Sequence, residues 1–146
     1  MPSNFDFLSL VLADLRQDAI EAERLARHAP RAAAIQSRFV LERMCHWLYA
    51  HDRALERPYE DKLGAMLHAQ SFRENLSAPV FAKARGIYTL GNHAAHEARS
   101  VPERDALRAL EDLFHVLYWI SRTYAPDEPR PPAPVGPDPR PGAPSR

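Results

Sequence analysis

A chain of 146 residues with 45% apolar side chains has room for one domain with one core. Lys plus Arg is 19 and Asp plus Glu is 19, so the zero net charge argues against a domain built mainly to neutralise phosphates. A single cysteine, Cys45, excludes an internal disulfide and a four-Cys zinc site.

The first predicted helix runs from about Phe5 to His28. Leu8, Val11 or Leu12, Leu15, Ala19, Ala22 and Ala26 recur every three or four residues and make one apolar stripe. Ser3 or Asn4 is the expected cap, and Pro30 the stop. A second helix is expected from about Arg31 to His51. Its apolar residues, from Ile35 through Phe39, Val40, Leu41, Met44 and Cys45 to Leu48, cover more than one face, which places it centrally. Within it Arg38 and Glu42 stand at i,i+4 and point the same way, a spacing that allows them to pair.

Residues 53–58 read as a connection, followed by a shorter helix over Tyr59 to Gln70 with Leu63, Met66 and Leu67 inward. Residues 71–79 read as a second connection. Ser77-Ala-Pro79 is a helix start, with Ser77 as cap and Pro in the first turn. The fourth helix then carries Lys83, Arg85 and the stretch Gly91-Asn-His-Ala-Ala-His-Glu97. Small residues at 91, 94, 95 and 98 invite a neighbouring backbone close, while Asn92 and His96 share a face at i,i+4. Ser100-Val-Pro-Glu103 is a capping box that opens a fifth helix ending near Tyr124. Leu107, Leu110, Leu113, Leu117 and Ile120 form its stripe. The sum is an all-α, compact bundle of about five helices over residues 1–125.

Nine of the 14 prolines fall in residues 126–146. Each lacks a donor and fixes φ, so this segment reads as a disordered, extended tail or semi-rigid linker. No basic segment followed by an apolar one marks a signal peptide, and no apolar run is long enough for a membrane. A cytoplasmic protein without membrane contact is the expectation.

Chemistry concentrates in Gly91–Glu97. Gly and Asn are weak helix formers, so helix stability does not explain them. His93, His96 and Glu97 adjoin, but a metal would need a further donor from elsewhere; no metal and no cofactor is expected. Too few glycines are present for a phosphate loop, and Cys45 lies in an apolar helix where thiols pack and do not react. His96 suits acid–base work near neutral pH, with Asn92 to hold it and Arg85 or Arg38 to bind a phosphate. The competing reading is a structural polar cluster of Arg38, Glu42, Asn92 and His96 tying the fourth helix to its neighbours. That reading is preferred, because buried polar groups need partners.

Asn4-Phe-Asp-Phe-Leu8, Pro30-Arg-Ala-Ala, Arg38-Phe-Val-Leu-Glu42, Trp47-Leu-Tyr49, Pro58-Tyr59, Gly91 to His96, Leu113-Phe-His115 and Tyr118-Trp119 form one pattern. Together they resemble the N-terminal helical domain of unknown function of type I restriction R (HsdR-like) subunits and related DEAD/DEAH-box helicases. The resemblance spans about residues 4–125. That family is similar to HEPN domains, helical bundles that often dimerise. Some of these are metal-independent ribonucleases that pair an Arg with a His a few residues beyond it. This chain departs from them: Gly91 stands where active members carry Arg, and the interval from Arg85 to His93 is longer than that spacing. The resemblance therefore implies a non-catalytic interaction module of a restriction or helicase system. Its partners would be the protein subunits of that complex, a second copy of the domain, and nucleic acid held through neighbouring domains. The alternative is a HEPN-like ribonuclease using His96 or His93, Arg85 and Asn92.

Overall fold

Pro30 occupies the first turn of the helix that organises the rest, where its missing N–H costs nothing. A computed structural model describes residues 2–8, 12–97, 100–124 and 131–137. Within them the helices are α1 (Ala13–Leu25), α2 (Pro30–His51), α3 (Leu63–His68), α4 (Gln70–Asn75), α5 (Ala78–His96) and α6 (Glu103–Tyr124). No strand occurs among the described residues.

The central position expected for the second helix is where the structure puts α2. It packs against α1, α3, α5 and α6. Val40, Leu41, Met44, Cys45 and Leu48 are fully buried along it. Each such aliphatic side chain stabilises the bundle by about 1.5–3 kcal/mol relative to exposure. The partners present matching stripes: Leu15, Ala19 and Ala22 on α1, Ala84, Ile87, Gly91 and Ala94 on α5, and Leu113, Val116, Leu117 and Ile120 on α6. At its outer edge α2 is tied to α1 by Arg43, which pairs with Asp18 at 2.5 Å and Asp14 at 3.5 Å. Ile35 and Phe39 remain exposed on the same outer side of α2.

The first helix is shorter at its start than the periodicity predicts. Ser3 and Asp6 use their side chains in a turn and cap no helix. Ser3 N donates to Asp6 Oδ2 at 2.7 Å, and Ser3 Oγ accepts from Phe5 N at 3.0 Å. That turn drives Phe5 and Leu8 into the core, with the Phe5 ring 6.3 Å from that of Phe114. Val11 of the predicted stripe lies outside the described residues.

Two short helices stand where one was expected, which brings the number among the described residues to six. Ala69 is extended, with φ −62° and ψ 137°, and separates α3 from α4. The reason is rotational phase. In a continuous helix Phe72 would point about 140° away from Leu67 and about 180° away from Leu63. The break resets the phase, so Phe72 is buried and stacks on Tyr49, with ring centroids 5.9 Å apart.

α5 starts as its sequence predicts: Ser77 Oγ accepts from Val80 N at 3.4 Å, with Pro79 in the first turn. Its far end is held by Arg31 of α2, whose Nε donates to the Ala94 carbonyl at 2.7 Å. A cation at a helix C-terminus also complements the helix dipole. Ala98 of the predicted small-residue stripe lies outside the described residues. α6 begins at Glu103, and the Pro102 carbonyl accepts from both Asp105 and Ala106.

Of the proline-rich segment, residues 126–130 and 138–146 lie outside the described residues. Residues 131–137 have no regular secondary structure and run beside the N-terminal turn and the end of α1. Among the described residues no helix is long and apolar enough to cross a membrane.

Candidate functional site

α5 turns its small and aliphatic residues inward, so its polar residues form a row on the outer face. Arg85, Thr89 and His93 follow one another at i,i+4 along that face. Their backbone positions are fixed by the burial of Ala84, Ile87, Gly91 and Ala94 against the bundle. An open groove of about 560 Å³ runs beside them, lined by Ala82, Arg85, Gly86, Thr89, Leu90, His93 and Asp105. Arg85 and His93 thus reach one solvent-open surface. Asp105 arrives from the first turn of α6.

Polarity in the groove is mixed. His93 Nδ1 lies 3.0 Å from Glu97 Oε1, an i,i+4 pair that orients the imidazole. Asp105 adds a carboxylate to the lining, with its Oδ1 3.9 Å from Arg104 Nε. Asp112 of α6, whose Oδ2 faces Gly86 of α5, has its carboxyl pushed above the ordinary range by burial, against the opposing pull of Arg108 and Lys83.

The predicted polar cluster is placed differently from its expectation. Arg38, on the α5 side of α2, lies across Gly91: a Cβ at that glycine would overlap the Arg38 side chain, at 2.8 Å from Cδ. The Arg38 Nε is buried without a hydrogen-bond partner. Glu42 approaches His46, with a separation of 3.9 Å, and not Arg38. Asn92 is half-buried, and His96, the last residue of α5, is exposed. Among the described residues no hydrogen bond or ion pair joins Arg38, Glu42, Asn92 and His96 to one another. The i,i+4 spacing of Arg38 and Glu42 permits a pair, but Arg38 is drawn toward the gap left by Gly91. The pair His93–Glu97 takes the carboxylate adjacent to His96.

Thr89 and Asp105 were not anticipated as neighbours of Arg85 and His93. Thr89 carries a usable signal, since it sits midway at i,i+4 between them. Asp105 carries none, because its approach depends on how α6 crosses α5. A second unanticipated feature lies at the other end of α2. Tyr124 Oη donates to Asp52 Oδ2 at 2.5 Å, and the ring meets Trp47 and Trp119 edge-on.

Burial raises the Cys45 thiol far above its ordinary range, with the Glu42 carboxylate adding to the effect. A thiol so placed stays protonated and packs as an apolar group. Among the described residues, no three His, Cys, Asp or Glu side chains converge as metal ligands would.

Residues 20–130 match the family model described as a domain of unknown function (DUF4145). No curated protein matches the chain, and no solved structure does.

Proposed function

The chain belongs to the DUF4145 family, a domain of unknown function, and on that premise we propose that it is a non-catalytic helical interaction module of a restriction–modification or helicase system. The reading extends the resemblance of residues 4–125 to the N-terminal domain of type I restriction R subunits. One observation carries it. Arg85, Thr89 and His93 lie along one open face of α5, with His96 exposed at its end and, among the described residues, no hydrogen bond or ion pair from His96 to Arg38 or Glu42. A row of donors and acceptors open to solvent suits contact with another macromolecule, whereas a reaction centre gathers its groups on one enclosed point. The partners are a motor or nuclease subunit of the same system or a second copy of the domain, with nucleic acid engaged through neighbouring domains.

The test is purification of the tagged full chain from its own cells, beside an Arg85→Glu/His93→Glu variant of the same thermal stability. Co-purification of a helicase or restriction subunit with the wild type, and its loss with the variant, is the expected result. Wild type that purifies alone, with no such subunit retained after cross-linking, overturns the proposal.

A second reading has its own observation: Arg85 and His93 line the same open groove. That is the arrangement a metal-independent ribonuclease of the HEPN kind would need, with His93 in the acid–base role and Arg85 on the phosphate. Labelled RNA incubated with the purified chain in a chelator distinguishes the two. Cleavage that vanishes in His93→Ala with the fold intact selects the enzyme, and absence of cleavage removes it.

A further inference from the structure

The proline-rich residues 131–137 meet the bundle through two side chains that grip only backbone. Asn4 Nδ2 donates to the Val135 carbonyl at 2.6 Å, and Asn4 Oδ1 accepts from Val135 N at 3.0 Å. One carboxamide thus satisfies both main-chain groups of one residue, as a neighbouring strand would. Two residues on, Arg27 Nε donates to the Pro137 carbonyl at 2.5 Å. In an extended chain the polar groups of residues i and i+2 share one edge, and those of i+1 face the other way. Val135 and Pro137 both turn main-chain groups to the bundle, and Gly136 between them is exposed.

Both gripping residues are themselves held. Asn4 N donates to Glu23 Oε2 at 3.2 Å, and Arg27 Nη1 lies 3.6 Å from Glu103 of α6. The sequence of the gripped segment fits the edge it must offer. Position 135 needs a donor and is not proline. Position 137 offers only a carbonyl, so proline there wastes no N–H. At position 136 a Cβ would stand 3.3 Å from Arg27 Nη2, a tight approach that glycine avoids.

We infer that Asn4 and Arg27 form a receptor for an extended, proline-bounded backbone, and that its resident ligand is Val135-Gly136-Pro137 of the same chain. Recognition is by register and donor pattern, since the Val135 side chain points into solvent and is 72% exposed. The proline-rich segment is thereby strapped to the end of α1 at one defined place. Main-chain recognition of this type is how proteins capture extended segments at a sheet edge; here a helical bundle achieves it with an amide and a guanidinium.

Amide hydrogen exchange of the full-length chain, followed residue by residue by NMR, tests the inference. Val135 N–H is expected to exchange about tenfold or more slowly than an unstructured reference, and Gly136 N–H at the reference rate. Asn4→Ala should return Val135 to the reference rate, and Gly136→Val should do so without touching the N-terminal turn. Both variants should keep the thermal midpoint of the bundle. Val135 at the reference rate in the wild type overturns the inference, as does equal protection of Val135 and Gly136. Protection unchanged in both variants, or protection that grows with protein concentration and so comes from a second copy, also overturns it.

Discussion

Gly91 and Arg38 share one space at the crossing of α5 and α2. The side chain that Gly91 lacks is replaced by the aliphatic stem of Arg38, whose Cδ stands 2.8 Å from where a Cβ would be. Gly91→Ala should therefore destabilise the bundle by about 1–3 kcal/mol through overpacking, although alanine favours the helix by about 1 kcal/mol. Urea denaturation measures it. In an Arg38→Gly background the penalty should largely disappear, whereas Arg38→Ala should relieve only part of it, because the Arg38 Cβ that alanine keeps is the nearest of the obstructing atoms. Strict additivity of the two substitutions would show that the contact does not limit the crossing.

Phe72 depends on the elbow at Ala69. Its ring is fully buried and stacked on Tyr49, so Phe72→Ala should cost about 3–5 kcal/mol. A thermal midpoint within error of wild type would mean that α4 does not dock on the core in solution.

Tyr49 sets an alkaline limit. Its hydroxyl donates to the Met66 carbonyl at 2.7 Å, and burial pushes its pKa up from 10.0 to about 12. Over that interval the folded state holds a proton that the unfolded state has lost, so stability falls as pH rises through it. Tyr124, raised by burial and by its bond to Asp52, acts in the same direction. Tyr49→Phe should lower stability by about 0.5–1.5 kcal/mol at neutral pH and flatten the decline above pH 10. Denaturation midpoints recorded across that alkaline range decide it. A decline as steep in the variant as in wild type would assign the limb to other groups.

Asp112 gives a further pH-dependent term. Because burial raises its pKa, its contribution is greatest when it is protonated and is lost as pH rises above the ordinary carboxylate range. Asp112→Asn should stabilise the chain at neutral pH by at most about 0.5 kcal/mol, because the carboxylate is partly exposed and solvent screens the effect. It should change little in acid. Destabilisation at neutral pH would show that Lys83 and Arg108 compensate the carboxylate more fully than its burial opposes it.

The parts of this fold that were legible in the sequence are those that repeat. α2 and α6 show their inward faces through apolar spacing over 22 residues each. Ser77 and Pro79 likewise mark the start of α5 by local chemistry alone. Ser3 and Asn4 carried the right residue types for a cap, but a turn and a contact to Val135 use the same hydrogen-bonding groups, and only the packing of Phe5 chooses between them. The elbow at Ala69 is likewise a tertiary decision, made by the pocket that Phe72 fills. In the candidate site, Gly91 was readable as a point of close approach, because a glycine inside a helix demands a packing reason. What approaches it was not readable: spacing offered Glu42 as the partner of Arg38, whereas the guanidinium stem follows the free volume.

The outward direction of Arg85, Thr89, His93 and His96 separates two kinds of sequence change. None of the four contributes a side chain to the buried interior, so replacements among them leave the apolar contacts of α5 with α2 and α6 intact. A surface of this kind can drift toward a new partner one substitution at a time, with each intermediate still folded. Change on the outer side of α5 is therefore uncoupled from folding, while Ala84, Ile87, Gly91 and Ala94 on its other side hold the scaffold fixed.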